Sequence, residues 1–365
     1  MRITGARIFS FQIPFVKPFS TASGIATSRE GLIIELQSGA LVGLGEASLL
    51  PQASAGLDLV SEAACRLCRE ALRIDAWDLV ESNASVGNPA ERAARAGLEI
   101  SAWDLLARHE SRPLAALFNP NYSRTVAVNA LISDRDAAGA AAGGGAARAA
   151  GYETVKLKVA MEASVAAELE RIARVREALG SGVCLRLDAN GAWDFDVACE
   201  TLRAVAEFDI EYVEQPLPPG NLPLMQALSL AVSVPIALDE EVTSIEAAEQ
   251  ILAARAAQVL ILKPLQLGGL GPALAIAANA AAAGVRSTVT TTIDSGIGTA
   301  AAIHLASALA DDGVHGLATA ELLEASLTTP LPIQRGRMYI PDGLGLGVDL
   351  ESAAVRYLTQ IEALG

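Results

Sequence analysis

From about residue 125 onward, short apolar runs alternate with longer stretches of helical spacing. The runs TVAVNALI (125–132), TVKLKVA (154–160), VCLRLDA (183–189), IEYVEQ (210–215), VPIALDE (234–240), QVLILKP (258–264), RSTVTTT (286–292) and GLATAE (316–321) predict eight strands, and segments such as VAAELERIARVREAL predict the helices between them. Near-continuous apolar strands of this kind belong to a parallel sheet buried on both faces. Eight strand–helix units over roughly 200 residues predict a barrel of the TIM type. A doubly wound open sheet is the alternative, weakened because no GxGxxG follows the first strand. The Gly-rich AAAGGGAAR (140–148) precedes a strand instead and reads as a small-residue helix or loop.

The first part of the chain is patterned differently. RITGARIFSFQIPF, GLIIELQSG and LVGLGEASLL read as strands, and residues 57–73 and 88–110 have helical spacing. KPFSTASGIATSRE, between the first two strands, reads as a long polar loop, and its residues Ser20 to Ala26 are placed to act as a lid over a pocket. Residues 1–120 are therefore expected to form an α+β cap, and residues 121–334 the barrel.

Five charges interrupt the apolar strands. Lys158, Asp188, Glu214, Asp239 and Lys263 each fall at or near the end of a run, roughly every 25 to 30 residues, which is the spacing of strand–helix units. A charge in a buried strand is costly unless it is paired or binds metal. In barrels of this kind the chemistry sits at the C-terminal strand ends, where these residues fall. Residues two apart on a strand share a face, so Lys156 accompanies Lys158, and Arg186 and Asn190 accompany Asp188.

Carboxylates from three successive strands can reach one ion, since neighbouring strands lie about 4.8 Å apart. An all-oxygen donor set favours a hard cation, Mg²⁺ first and Mn²⁺ second. The competing reading is three acids paired with lysines in a polar barrel layer, but two lysines cannot neutralise three acids plus Glu240. Lys158 and Lys263 flank the acids. A desolvated lysine can serve as a base, and Lys156 is placed to assist Lys158 by like-charge repulsion. Proton abstraction next to a carboxylate, with a metal-stabilised enediolate, suits this set; the combination of a lysine base with Mg²⁺ is a known pattern of the enolase superfamily.

Composition narrows the partners. The 365 residues suffice for a barrel and a smaller domain, and a 52% hydrophobic content supports a large core. A net charge of −15 argues against a nucleic-acid partner, which needs clustered Lys and Arg. No apolar run has the character of a membrane span. Of the four cysteines, Cys65 and Cys68 form a CxxC within a helical pattern, with no second pair to complete a zinc site. Reduced thiols and a cytoplasmic protein are expected. His109, His304 and His315 lack metal-ligand spacing, and His304 reads as a packed core residue.

The motifs Lys156-x-Lys158, Asp188-x-Asn190, Glu214-Gln-Pro, Asp239-Glu240 and Lys263-Pro, with GLGEA (43–47) and PDGLGLGVDL (341–350), resemble the muconate-lactonizing-enzyme subgroup of the enolase superfamily over nearly the whole chain. The resemblance implies an N-terminal α+β capping domain, a modified (β/α)7β barrel without a last regular helix, and a C-terminal segment (about 335–365) returning to the cap. It implies Mg²⁺ on Asp188, Glu214 and Asp239, with Lys158 and Lys263 catalytic. Glu240 and Asn190 would orient ligands or lysines. Gly296 and Ile297 would either offer backbone N–H groups to a carboxylate or form a turn. Asp294 stands where Glu is common in the subgroup.

VNALI (128–132), LRLDANGAW (185–193), SREGLIIEL (28–36) and HGLATAELL (315–323) most resemble the o-succinylbenzoate synthases. They imply syn dehydration of 2-succinyl-6-hydroxy-2,4-cyclohexadiene-1-carboxylate in menaquinone synthesis. Dipeptide epimerases usually carry Asp-x-Asp near the eighth strand, where this chain reads LATAELLEASL. IDSGIGTAAAIHLASAL (293–309) resembles muconate cycloisomerases. The partner expected throughout is a small carboxylate substrate, with a homo-oligomer compatible with the fold.

Overall fold

The computed structural model describes the chain except residues 22–23, 52–55, 83–86, 163 and 310–312, and gives the backbone alone for 19–21 and 24. The cap contains β1 (Gly5–Thr21), β2 (Gly24–Ser38), β3 (Leu41–Ala47), α1 (Leu57–Ala71), α2 (Ala76–Glu81), α3 (Pro89–His109) and α4 (Ala115–Phe118). Then follow β4 (Thr125–Val128), β5 (Ala130–Ile132), α5 (Ala137–Ala149), β6 (Thr154–Lys158), α6 (Val165–Leu179), β7 (Cys184–Asp188), α7 (Phe195–Val205), β8 (Ile210–Glu214), α8 (Leu222–Ala231) and β9 (Ile236–Leu238). The remainder is α9 (Ile245–Ala254), β10 (Val259–Leu262), α10 (Pro264–Leu267), α11 (Leu270–Ala282), β11 (Arg286–Val289), α12 (Gly296–Ala308), β12 (Val314–His315), β13 (Arg337–Tyr339) and β14 (Leu358–Leu364).

Strands β5 to β11 form one parallel sheet in sequence order. It closes through β12, which pairs in parallel with β4 and whose end bridges β11 through Thr290 and Gly316. The first barrel strand is split at Asn129: β5 pairs with β6, whereas β4 takes β12 on one side and the antiparallel β13 on the other. Closure excludes the doubly wound alternative. Among the described residues no α-helix follows β12; the chain continues as a short 3-10 turn, Ala320–Leu322. The architecture is a modified (β/α)7β barrel with an N-terminal α+β cap.

The sequence reading needs two corrections. The eighth strand is Val314–His315, not 316–321, because its partners Ala127 and Val128 leave only two residues to pair before the Gly316 bridge. KPFSTASGIATSRE is not a polar loop. β1 extends into it as far as Thr21 and β2 begins at Gly24, the two antiparallel with Phe19 opposite Ala26 and Thr21 opposite Gly24, after an irregularity between Pro14 and Phe19. Cross-strand hydrogen bonds, which polar residues make as well as apolar ones, sustain this extension. Residues 22–23 of the expected lid, and the side chains of 19–24, lie outside the described residues.

The cap core holds Ile8, Leu32, Ile34, Leu36, Val60, Leu98, Leu105 and Leu106 around α1, α3 and the sheet. Glycine permits the close seat of α3 on β3: a Cβ on Gly43 would lie 2.1 Å from the Ser101 carbonyl oxygen, and one on Gly45 2.0 Å from that of Gly97. The GLGEA segment is thus a packing motif at its two glycines. Cys65 and Cys68 lie on α1, and burial pushes their thiols up to about 11 and about 12. These are unreactive thiols on a helix.

Inside the barrel, Tyr212, Ala237, Val259 and Ile261 form a small cluster of their own, separate from the shell between strands and helices. It is the floor on which the polar mouth stands. No helix among the described residues is long and apolar enough to cross a membrane.

Candidate active site

The strand register places the charged residues at the barrel mouth. Lys158 pairs across the ladder with Asp188, and Asp188 with Glu214. Glu214 pairs with Ala237, so Asp239 stands one inward-facing step nearer the mouth. Ala237 pairs with Val259, which puts Lys263 two such steps above Val259. The stagger that closes a barrel carries successive residues progressively upward around the ring.

Asp188, Glu214 and Asp239 are only 3%, 2% and 5% exposed. Lys156 Nζ sits between two of them, 3.0 Å from Asp188 Oδ2 and 2.9 Å from Glu214 Oε1. Burial alone would lower the Lys156 ammonium, but the fields of Asp188 and Glu214 reverse this and raise it well above the usual lysine range. Lys156 is thus a fixed counter-ion. Lys263 Nζ pairs with Asp239, whereas Lys158 Nζ donates to the neutral Asn190 Oδ1 at 2.7 Å. Asn190 Nδ2 reaches Glu240 Oε1 at 3.4 Å, and the Asn190 N–H donates to Asp188 Oδ1 at 3.1 Å. Asn190 therefore joins a base candidate to two acids.

The mouth carries an excess of negative charge. Burial first, then Asp188 and Asp239, push Glu214 up to about 7 against the pull of Lys156. Burial and Asp239 do the same to Glu240, whose Oε2 is buried without a hydrogen-bond partner among the described residues. Burial also opposes ionisation of Asp188, but Lys156 and Lys158 hold it below the usual range. Four carboxylates face three lysines here. An orphaned carboxylate oxygen and an all-oxygen donor set fit a hard divalent cation. Among the described residues no three such groups stand at the spacing of a metal cage; the ammonium groups of Lys156 and Lys263 lie against the acids instead.

Residues 3–118 match the N-terminal domain of the mandelate racemase/muconate lactonizing enzymes, and residues 140–354 match the enolase C-terminal domain-like family. The chain belongs to the muconate-lactonizing-enzyme subgroup of the enolase superfamily. Chloromuconate cycloisomerase CbnB of Cupriavidus necator is 34% identical over 53% of this chain and 53% of its own length. The o-succinylbenzoate synthase of Thermobifida fusca is 38% identical over 48% of this chain and 55% of its own. These matches span about half the length of the relatives. In fold, the chain superposes on a dipeptide epimerase from Cytophaga hutchinsonii, solved with Mg and the dipeptide D-Ala-L-Val, with a TM-score of 0.91, 24% identity and 100% coverage of both chains.

Other predicted residues of this superfamily member make no direct contact with the lysine ammonium groups among the described residues. Arg186 is one inward step below Asp188, in the barrel floor. It pairs with Glu211 at 2.8 Å, donates to the Val314 carbonyl at 2.8 Å and lies over the Tyr212 ring. Parity put it on the inward face, and the strand places it one step below the acids. Ile297 is fully buried and its N–H donates to Ser295 Oγ, the N-cap of α12. Gly296 begins that helix, so the pair forms a helix start. His304 is a core residue, accepting from the Ala115 N–H and facing the Leu346 carbonyl.

Asp294 is 1% exposed and accepts from the Thr292 N–H and hydroxyl. Burial, then the nearby Glu46, push it up to about 7. Glu46 escaped the sequence reading as a functional residue. Fully buried at the end of β3, it accepts from the Ser48 hydroxyl, from Ser295 N and Oγ, and from Gly298 N. Arg29, 2% exposed on β2, donates to the carbonyls of Leu49 and Ile293 and to the Thr292 hydroxyl. Ile293 has a φ of 64°, a left-handed conformation that is costly for a β-branched residue. Cap residues thus clamp the turn after the seventh barrel strand in a strained shape.

Glu99 of α3 makes the matching clamp at the sixth. It accepts from Leu270 N and Gly271 N at 2.7 Å each, at the start of α11, and from Trp103 Nε1. Burial outweighs these bonds and pushes Glu99 up to about 7. Its native pKa exceeds the unfolded value of about 4.3, so the native state binds more protons between the two. Its contribution to stability is fully present below the unfolded value and is lost as pH rises through about 7. Urea midpoints of wild type and Glu99→Gln, compared at both ends of that window, are expected to converge or cross in favour of the variant at the alkaline end. A pH-independent difference would refute the linkage.

Proposed function

We propose that this chain removes a proton α to a carboxylate with Lys158, and that the reaction is the syn dehydration of 2-succinyl-6-hydroxy-2,4-cyclohexadiene-1-carboxylate to o-succinylbenzoate. The observation that carries the reading is the ring of buried acids at the mouth flanked by Lys158 and Lys263 on strands from opposite sides. Asp188, Glu214 and Asp239 would hold Mg²⁺, or Mn²⁺; a cation there stabilises negative charge developing on the substrate carboxylate.

Lys158, once neutral, takes the α-proton. Asn190 holds its Nζ in place through a neutral amide, leaving the amine lone pair available on deprotonation. The resulting Lys158 ammonium then returns the proton to the departing hydroxyl on the same face, and water leaves as the ring becomes aromatic. Lys263, held by Asp239, supplies positive charge on the other side. The apolar floor of Tyr212, Ala237, Val259 and Ile261 keeps the reacting carbon away from bulk water on its lower side.

The second reading is epimerisation of dipeptides or N-acylamino acids, with both lysines acting as bases. It is favoured by their opposed placement and disfavoured by the absence of Asp-x-Asp near residues 317–327. Cycloisomerisation of a muconate, the reaction named for the Cupriavidus relative, uses the same proton chemistry. The test is dehydration of the cyclohexadiene carboxylate with Mg²⁺ present, followed by the absorbance of the aromatic product. Product formation supports the synthase. No product, with deuterium entering the α-carbon of a dipeptide or N-acylamino acid in deuterated water, transfers the assignment to epimerisation.

A further inference from the structure

The turn after β8 contains a fully buried amide that the proposed chemistry leaves without a task. Gln215 follows the acid Glu214 directly and has a φ of 39°, left-handed for a residue with a side chain. Its N–H completes the β8–β9 ladder by donating to the Ala237 carbonyl at 2.9 Å. Pro216 then takes the backbone away from β9. Asp239, two residues beyond Ala237, is left with an N–H that no β8 carbonyl can reach. Gln215 Oε1 accepts it at 3.1 Å, and Nε2 donates to the Leu217 carbonyl at 3.0 Å. The side-chain amide stands in for a peptide group and adds one more rung to the ladder.

The same residue grips the other neighbour. Its carbonyl accepts from Gly191 N at 2.6 Å, while Ala189 N donates to Glu214 and Trp193 N to Pro216. The strand tips bearing Asp188, Glu214 and Asp239 are therefore all joined at one residue.

We infer that Gln215 is the positioning residue of the cation site: by prolonging the β8–β9 ladder it fixes where the Asp239 carboxylate stands relative to Glu214 and Asp188. This rests on the proposed cation centre. Ligand orientation by groups behind the donor atoms governs metal affinity, and losing such a group costs about 10- to 100-fold.

The fold supplies its own control. At the other end of β9, the exposed Gln258 makes the same kind of bridge, its Oε1 accepting from Ile236 N at 2.9 Å. Its partner Ile236 opens β9, three residues before Asp239, and Gln258 hydrogen-bonds to none of the acids among the described residues. If loosening β9 anywhere were enough to weaken cation binding, the two glutamines would behave alike.

The experiment is a titration of the intact protein with Mn²⁺ alone, following the paramagnetic resonance signal of the free ion. It compares wild type, Gln215→Asn, Gln215→Leu and Gln258→Asn. Asparagine tolerates left-handed backbone, so Gln215→Asn keeps the turn and the amide but falls one methylene short of Asp239. It secures the test should the leucine variant not fold. Both Gln215 variants are expected to bind Mn²⁺ at least about tenfold more weakly, and Gln258→Asn to keep wild-type affinity. Wild-type affinity in Gln215→Asn, or equal weakening in Gln258→Asn, would overturn the inference. Absence of Mn²⁺ binding by the wild type would instead refute the cation centre, and the positioning role with it.

Discussion

Lys158→Ala is expected to lower turnover by about 10²- to 10⁴-fold, the usual range for removing a positioned general acid–base group. The reason is geometric. Lys158 occupies the inward side of β6 at the level of Asp188, and its Nζ is held by an amide rather than an acid. Of the three lysines at the mouth, it is the one whose ammonium makes no ion pair with a carboxylate among the described residues, so neutralising it breaks no direct lysine–carboxylate contact. Binding of Mn²⁺ should survive the substitution, because none of the three proposed ligands loses its own hydrogen-bond partner. The decisive readout is exchange of the substrate α-proton with deuterated water. In a one-base dehydratase exchange disappears with product formation. In a two-base epimerase, exchange from one stereoisomer would persist through Lys263. Near-normal turnover in Lys158→Ala would remove the mechanism altogether.

The second large effect is expected on stability. Glu46→Ala should cost about 3 kcal/mol or more, since it strips a buried acceptor from two backbone N–H groups and two hydroxyls at once. Leaving buried donors unpaired is dearer than the net gain of making the bonds, and Glu46, Ser48 and Ser295 are all buried. Glu46→Gln keeps the volume and one carbonyl oxygen and should recover part of the loss. The urea midpoint measures both. Removing the Glu46 charge also takes away a cause of the elevated Asp294, so that carboxyl should return towards its ordinary range, visible by carbon NMR of the labelled side chain. A loss no larger than that of a surface substitution would show that α12 can be seated without Glu46.

The barrel and its five charges are legible in the sequence because burial makes charge conspicuous. A Lys or Asp ending a run of Val, Ile and Leu has few structural excuses, and five of them in register with the repeat have fewer. Depth was not legible. Arg186 and Asp188 share a face by parity, yet one lies in the floor and the other at the mouth, and only the stagger of neighbouring strands separates them. The strand ends up to Thr21 and from Gly24 were hidden because they are sustained by each other's backbone and not by an apolar stripe. The eighth strand slipped two residues because GLATAE has strand-like composition, whereas the pairing is decided by Ala127 and Val128 on a segment far away in sequence. Glu46 and Gln215 sat inside quoted motifs without a role. Their work consists of bonds to amides at Ser295, Gly298 and Asp239, and no local pattern announces those partners.

The cap sheet has the order β14-β1-β2-β3, with Ala6 opposite Leu364. During synthesis its fourth strand emerges only after the barrel has been made. At about 5–20 residues per second, the edge of β1 waits roughly 20 to 70 s for its neighbour. Through that interval Ala6 to Phe11 present unpaired N–H and C=O groups, a template for any other extended chain nearby. The nascent chain therefore carries the outer side of β1 open until β14 arrives, and slowing translation is expected to lower the soluble yield.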